Sequence, residues 1–307
     1  MSIKENPETA FTRTSASNGK GSPEIAGFYE PDTGSCQYVC IDPETRATAL
    51  IDVVLNFDPV TCSTNTQAAD HIVDFVRNED LKVEWILDTH PHADHFTAGA
   101  YLKEIFDCPT GIGEKTCDIA ELWRDIYNLP DAFSPRDDFD RLFADGDTFK
   151  IGNLDCSVML SPGHTLGSVT YRTGTDAAFV HDTFMHVDSG TARADFPGAS
   201  VDELFDSLHA ILDLPDKTRL FIGHDYGTDE RHEPAWEATV AEHRANNIHV
   251  GGGVSKSEYV KIRTEKDQGL TIPDRMLYAL HVNLRGGRLP EAEPDGHSYF
   301  KIPANRF

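Results

Sequence analysis

The sequence predicts an α/β protein built around one large domain. Two observations support this prediction: strand-like and helix-like segments alternate along the chain, and no repeat or second independent core interrupts them. The 307 residues are enough for one sizeable core, because single cores stop growing near about 250–300 residues. With 39% hydrophobic and 25% charged residues, the composition is that of an ordinary globular enzyme.

The first elements read as strand, strand, helix and strand. The runs "SCQYVCID" and "ATALIDVVLNF" are apolar and rich in β-branched residues, and the polar "PETR" between them predicts a turn. Residues 64–80 place apolar side chains at helical spacing, and "VEWILDTH" then predicts a buried strand.

Later segments repeat the alternation. Helices are predicted at 96–106, 114–128 and 201–213, and strands at 147–160, 168–173, 177–181 and 218–224. Residues 234–268 are predicted to be helical with a break at Gly251-Gly252-Gly253, after which Ser255 or Ser257 is positioned to cap a new helix.

The sequence predicts three regions. Residues 1–24 lack periodicity and are expected to be a flexible tail, residues 25–245 form the main domain, and residues 246–307 form an extension packed on it. No stretch reaches the roughly 18 apolar residues that a membrane helix needs, and the start lacks a signal-peptide core, so we expect a cytoplasmic protein.

The charge balance excludes two classes of partner. The formal net charge of −24 repels nucleic acid and anionic membrane surfaces. A solvated acidic surface and adaptation to salt explain this charge equally well.

The stretch "DTHPHADHFTAG" (88–99) concentrates metal-binding side chains. Its candidate ligands are His90, His92, Asp94 and His95, and they follow a predicted buried strand. Ligand sites in open α/β sheets lie beyond the carboxyl ends of strands, and imidazole and carboxylate are the usual ligands of zinc, iron and manganese. The stretch therefore predicts a metal site.

Three later strand ends present similar residues. "LSPGHTLGS" offers His164, "AFVHDTF" offers Asp182, and "LFIGHDYG" offers His224. Any one of these alone would most simply be a structural residue. Seven candidates on four loops together favour a shared metal centre.

At this point the chain resembles the metallo-β-lactamase superfamily, whose H-x-H-x-D-H signature falls on His90, His92, Asp94 and His95. The resemblance continues through His164, Asp182 and His224 and covers roughly residues 35–245. It implies an αββα sandwich, two mixed sheets flanked by helices, here with a helical C-terminal extension.

Within the superfamily, three stretches are similar to the persulfide dioxygenase branch: "SPGHTLGSVTY", "GTARADFPGAS" and "LFIGHDYG". That resemblance implies one Fe(II) per chain, held by His90, His164 and Asp182. It also implies oxidation of glutathione persulfide, or a similar small persulfide, by O2 to sulfite and free thiol. His92, Asp94, His95 and His224 would then support the ligands or form a second metal site.

The same resemblance suggests two substrate-binding residues. Arg193 matches the arginine of the branch's R-x-D-F segment and would pair with a carboxylate of glutathione; the alternative is a salt bridge to Asp195. Tyr226 would hydrogen-bond at the iron site; the alternative is a half-buried aromatic residue with a hydrated hydroxyl.

The chain also departs from that branch. His181 stands where glycine is common, and "MHVDSGTA" (185–192) replaces a shorter loop with a glycine-cysteine-glycine run. The long C-terminal part could reshape the thiol groove or support a homodimer. Two alternatives stay open: a binuclear zinc thioester hydrolase of the glyoxalase II type, which would use all seven ligands with two Zn, and a catalytically silent fold used for binding.

Overall fold

The computed structural model describes residues 11–307. Its strands, in chain order, are β1 (Phe11–Ser15), β2 (Glu24–Glu30), β3 (Ser35–Ile41), β4 (Ala47–Ile51), β5 (Val54–Asp58), β6 (Ser63–Asn65), β7 (Lys82–Leu87), β8 (Phe96–Thr97), β9 (Thr110–Gly113), β10 (Arg141–Phe143), β11 (Thr148–Ile151), β12 (Leu154–Leu160), β13 (Val169–Thr173), β14 (Ala177–His181), β15 (Arg219–Ile222) and β16 (Glu237–Thr239). Its helices are α1 (Gln67–Asn78), α2 (Gly99–Phe106), α3 (Thr116–Tyr127), α4 (Pro135–Asp138), α5 (Val201–Leu212), α6 (Val240–Asn246), α7 (Lys256–Asp267) and α8 (Met276–Asn283).

Two mixed sheets form the centre of the fold. The first has the order β1-β2-β3-β4-β7-β9-β10 and the second the order β11-β12-β13-β14-β15-β16. Strands β6, β5 and β8 form a third, small sheet that shares no paired strand with the two large ones. In the first sheet β4, β7, β9 and β10 run parallel, and in the second only β14 and β15 do.

The two large sheets share one hydrophobic core. Tyr38 of the first sheet packs on Phe179 and Phe221 of the second, with ring centroids 5.4 and 5.5 Å apart. Helix α1 buries Ile72 and Val76 in a cluster with strands of the first sheet, and α5 adds apolar side chains to the core around the second. The predicted αββα sandwich is confirmed.

The expected N-terminal tail is wrong for residues 11–24. Phe11–Ser15 forms β1 and pairs antiparallel with β2. The strand is held by tertiary contacts, because Phe11 packs edge-on against Trp236 at 5.6 Å and Ser15 Oγ donates to Glu237 at 2.9 Å. Residues 1–10 of the expected tail lie outside the described residues.

The helix expected from residue 234 is also wrong at its start. Glu237–Thr239 forms β16 at the edge of the second sheet, where Trp236 and Ala238 are buried while Glu237 and Thr239 are less so. Helix α6 begins after Thr239, whose hydroxyl accepts from the Glu242 N–H in a capping box. Ser255 caps α7 in the same way.

The C-terminal residues pack on this body. Helix α7 lies against α5, and α8 buries Met276 and Leu280 in a cluster that contains Trp123. In residues 11–307, no helix is both long and apolar enough to cross a membrane.

The sheets position the candidate ligands at one edge. β14 and β15 are parallel neighbours, so the loops after their carboxyl ends, which carry Asp182 and His224, lie side by side. The loop after β7 contributes the histidine-rich stretch, and the loop after β12 contributes His164.

Candidate metal centre

A buried carboxylate fixes the histidine-rich loop from behind. Asp52, which directly follows β4, accepts hydrogen bonds from the Thr89 N–H at 2.7 Å and from Thr89 Oγ1 at 2.8 Å. Its Oδ1 lies 3.0 Å from His92 Nε2. Burial raises the pKa of Asp52, but the charge and hydrogen bond of His92 outweigh it and lower the pKa. Asp52 therefore stays ionised and holds the His92 ring.

A side chain of the C-terminal extension also holds the histidine-rich loop, through its backbone groups. Asn283, at the end of α8, donates from Nδ2 to the carbonyl oxygens of His92 and His95, both at 2.8 Å. Its Oδ1 accepts from the Thr97 N–H at 2.8 Å. All three backbone groups are thereby satisfied by one buried amide.

His90, His164 and Asp182 converge on one point. Nε2 of His90 lies 3.6 Å from Asp182 Oδ2, and Nε2 of His164 lies 3.4 Å from the same oxygen. The candidate ligand atoms of the three residues lie within 4.8 Å of one another, and all three residues are buried.

The other nitrogen of each ring is already engaged. His90 Nδ1 lies 3.1 Å from Thr89 Oγ1, whose proton goes to Asp52, so His90 donates there. His164 Nδ1 donates to the Arg193 carbonyl at 2.9 Å. In the neutral rings both Nε2 atoms thus present lone pairs beside a carboxylate, and His90 Nε2 is buried without a partner. This donor set fits a transition-metal cation.

The pKa of His90 supports that protonation state. Burial lowers it well below the usual value, and the neighbouring His92 and His181 add to the shift. A neutral, metal-competent ring is therefore the stable form.

The loop that carries His164 requires glycine next to it. Gly163 has φ of +130°, and a Cβ there would lie 2.2 Å from the backbone nitrogen of Leu204. Only glycine accommodates this turn and its close approach to α5.

A second group is held together by the contacts of His224 with two carboxylates. His224 Nδ1 lies 2.6 Å from Asp182 Oδ1, and His224 Nε2 lies 2.5 Å from Asp94 Oδ2. Burial lowers the pKa of His224, but the carboxylates of Asp182 and Asp94 outweigh it and hold the pKa well above the usual value. The two contacts therefore favour the protonated ring of His224.

His92 and His95 complete this side of the centre. Their ligand atoms lie within 4.8 Å of that of Asp94, and the two rings are 4.1 Å apart. His92 Nδ1 is buried without a partner, whereas His95 Nδ1 contacts the Phe96 carbonyl at 3.1 Å. All seven predicted ligands thus lie in one centre.

His181 lies directly beneath the ligands. Its φ is +38°, in the left-handed region where glycine is favoured, and its ring centroid is 4.8 Å from that of His90. Its Nδ1 accepts from the Asp182 N–H, and its Nε2 lies 3.3 Å from Thr183 Oγ1. These contacts offset the unfavourable backbone conformation.

A cavity of about 390 Å³ opens onto the centre. Its lining includes Arg193 and Tyr226. Arg193 forms a bidentate ion pair with Asp195 at 2.6 and 2.7 Å and donates to the Thr271 carbonyl at 2.8 Å. The structure thus contains the salt bridge of Arg193 to Asp195, the alternative named above. A contact between Arg193 and a substrate stays a prediction.

Tyr226 stacks on His224. The ring centroids are 5.9 Å apart, the ring planes are 10° apart, and the residue is 67% exposed. A hydrogen bond from its hydroxyl to a bound substrate also stays a prediction.

Comparison with known proteins places these features in a family. The profile of the metallo-beta-lactamase superfamily matches residues 57–224. The chain is 52% identical to a beta-lactamase hydrolase-like protein of Xylella fastidiosa, over 92% of this chain and 65% of that protein. It is 40% identical to Glyoxylase B2 of Dictyostelium discoideum, over 92% of this chain and 97% of that protein.

Persulfide dioxygenases are also among the relatives. The mitochondrial persulfide dioxygenase ETHE1 of Bos taurus is 26% identical over 91% of this chain and 94% of its own length. The crystal structure of ETHE1 from Myxococcus xanthus superposes with a TM-score of 0.68 at 26% identity, covering 86% of this chain and 99% of that one.

The chain thus spans about two thirds of the length of its Xylella fastidiosa relative. The family profile covers more than half of this chain, includes six of the seven candidate ligands in its interior and ends on the seventh, His224. The chain therefore belongs to the metallo-β-lactamase superfamily.

Proposed function

We propose that this chain is an iron-dependent persulfide dioxygenase that oxidises glutathione persulfide, or a similar small persulfide, with O2. The observation that carries the proposal is the geometry of His90, His164 and Asp182. Nε2 of His90 and Nε2 of His164 lie 3.6 and 3.4 Å from Asp182 Oδ2, whereas on the other side of the centre His224 lies in ion-pair contact with Asp94 and Asp182.

Two histidines and one carboxylate form the ligand set that non-haem iron oxygenases use. When bound, iron would supply the redox chemistry for the oxidation of the terminal sulfur by O2. The balanced reaction takes RSSH, O2 and H2O to RSH, sulfite and two protons.

Protein groups around the centre orient the histidine rings, exclude water and exchange protons. Asp52 and the Arg193 carbonyl orient the His92 and His164 rings, so these are fixed before substrate arrives. The cavity wall of Met185, Phe196 and Leu270 is apolar and limits water at the reacting sulfur. His224 lines the cavity, and its contacts with the carboxylates of Asp94 and Asp182 favour its protonated ring, so it is placed to exchange protons there.

The similarity to ETHE1 proteins supports this assignment, and the overall charge is consistent with a small-molecule substrate. We expect a cytoplasmic enzyme with one Fe(II) per chain.

One observation favours a second candidate, a binuclear zinc thioester hydrolase. Asp182 directs Oδ2 toward His90 and His164 and Oδ1 toward His224, so its carboxylate faces both groups of candidate ligands and would be available to either. The relative named Glyoxylase B2 points the same way. Such hydrolysis needs only activated water and is indifferent to O2.

Oxygen uptake separates the two candidates. Protein purified without added metal is assayed in an oxygen electrode with glutathione persulfide and, separately under nitrogen, with S-lactoylglutathione. We expect O2 uptake with sulfite release, about one iron per chain, and little thioester cleavage. Rapid anaerobic thioester hydrolysis, two zinc ions per chain and no oxygen uptake would establish the hydrolase instead.

A further inference from the structure

The cavity wall formed by the C-terminal extension carries positive charge. Besides Arg193, two basic side chains of α7, Arg263 and Lys266, line the cavity. The guanidinium of Arg263 already has protein partners. Its Nη2 lies 2.6 Å from Asp267 Oδ1, and its Nη1 donates to the Thr191 carbonyl at 2.8 Å. Arg193 is likewise paired with Asp195.

Lys266 differs from both arginines. It is exposed at the cavity, and in residues 11–307 it makes no hydrogen bond or ion pair. The chain has 51 acidic and 27 basic residues, yet no acidic group of residues 11–307 pairs with Lys266. An unpaired ammonium group beside the metal centre is therefore available to a ligand.

A second donor lies in the same wall. His249 is 3% exposed, and its Nδ1 accepts a hydrogen bond from the Thr191 N–H at 3.0 Å. The ring proton must then sit on Nε2, which is buried and has no partner in the described part of the chain. Burial lowers the pKa of His249 to about 4, and the charges of Lys266 and Arg263 add to the shift, so the ring stays neutral.

We propose that Lys266 and His249 form a subsite for a carboxylate of the thiol carrier. The inference rests on the proposed function, because it assigns the residues that hold a thiol-derived substrate in this cavity. The ammonium group supplies charge, and the Nε2–H supplies a directed donor that is otherwise costly to leave unpaired. A carboxylate-bearing thiol such as glutathione is thereby selected over an uncharged one.

Equilibrium binding tests the subsite without turnover. The probe is S-methylglutathione, which keeps both carboxylates but has no persulfide, titrated into the metal-loaded protein by calorimetry. Lys266→Gln should weaken binding about tenfold, the factor that matches loss of about 1.4 kcal/mol, and Lys266→Glu should weaken it further. Binding of the S-methylglutathione diethyl ester should be insensitive to Lys266→Gln.

The same helix offers a matched control. Lys261 is 75% exposed in its side chain and lies 3.9 Å from Glu265, outside the cavity lining. Lys261→Gln should bind S-methylglutathione as the unaltered protein does. Metal content should be the same in all variants, because none of the changed residues contacts a candidate ligand.

His249→Asn tests the second donor. The Asn oxygen can still accept from the Thr191 N–H, while the Nε2–H is lost. Binding of S-methylglutathione should weaken several-fold with an unchanged unfolding temperature. Unchanged binding in this variant would remove His249 from the subsite.

The proposal is overturned if S-methylglutathione does not bind, or if Lys266→Gln binds it as tightly as the unaltered protein. An equal loss for the acid and the diester would also overturn it. Failure of the proposed function looks different: binding would depend on Lys266 as stated, yet glutathione persulfide would cause no oxygen uptake.

Discussion

His164 and His95 form a matched pair of buried histidines that the single-iron assignment treats differently. His164 Nε2 faces Asp182 Oδ2 at 3.4 Å, whereas His95 belongs to the group around Asp94. His164→Ala should abolish bound metal, because removing one of three protein ligands leaves too little affinity, and Asp182→Ala should do the same. His95→Ala should keep most of it, as measured by metal analysis of the purified variants.

Comparable metal loss in His95→Ala or His224→Ala would contradict the single-iron assignment. It would indicate a second metal held by the groups around Asp94. Far-ultraviolet circular dichroism of each variant shows whether the fold is retained, so that unfolding is not mistaken for loss of a ligand.

At the residue scale, the ligands were predictable because their signal is local. Each of His164, Asp182 and His224 follows an apolar run that ends a strand. Asp52 has the same local signal after β4, but a single acidic residue at a strand end does not predict a contact with His92. The choice between the two roles of Arg193 was not predictable, because nothing in R-x-D distinguishes an arginine paired with Asp195 from a substrate-binding one.

Helix α8 is tied to the metal centre by Asn283. Asn283→Ala would leave two buried carbonyls, those of His92 and His95, and the Thr97 N–H without partners. We expect a loss of about 2–4 kcal/mol in the free energy of unfolding, measured by denaturant titration, together with weaker metal binding. The exposed Asn153, which contacts only Glu44 through its amide, is the control, since Asn153→Ala should change stability by less than about 0.5 kcal/mol.

Equal stability of the two variants would show that the hydrogen bonds of Asn283 to the histidine-rich loop contribute little to the free energy of unfolding. A loss of metal without a loss of stability would instead assign Asn283 to ligand positioning alone.

Arg231 joins the two loops that flank the cavity. It donates to Asp188, in the loop after β14, at 2.7 and 2.9 Å, and pairs with Asp225, in the loop after β15. Arg231→Ala leaves Asp225, 1% exposed, as an unpaired buried charge, and should cost about 3–5 kcal/mol of stability. Arg46, in an exposed pair with Glu79, is the control, and Arg46→Ala should cost at most about 1 kcal/mol.

The same contact predicts a pH dependence. Hydrogen bonds from Arg231 lower the pKa of Asp188 well below its usual range. A carboxylate whose pKa is lowered by folding contributes stability above its unfolded value, near 3.9, and loses that contribution as the pH falls below it. Chemical denaturation between pH 6 and 3 should therefore show a smaller acid loss in Arg231→Ala than in the unaltered protein. Identical pH profiles would exclude this contribution.

At the element scale, the central strands and the long helices were predictable, and the edge strands were not. β3, β4 and β14 are buried throughout, and most of their side chains are apolar, which makes them recognisable in the sequence. β1 and β16 are short edge strands that contain polar residues. A contact between Phe11, in β1, and Trp236, directly before β16, stabilises both. Such contacts join residues far apart in sequence and leave no local periodicity.

At the scale of the whole molecule, the net charge of −24 makes self-repulsion a general destabilising term. Salt should therefore stabilise this protein: the Debye length falls from about 10 Å at 0.1 M to about 3 Å at 1 M, which screens repulsion between surface carboxylates. We expect the unfolding temperature at pH 8 to rise by several degrees over this range of NaCl. Near pH 5, close to the isoelectric point of about 4.8, the rise should largely vanish because little net charge remains.

An equal rise in the unfolding temperature at both pH values would assign the effect to salt-strengthened burial of apolar surface. A fall at pH 8 would mean that ion pairs such as Arg231 with Asp188 outweigh the repulsion between carboxylates.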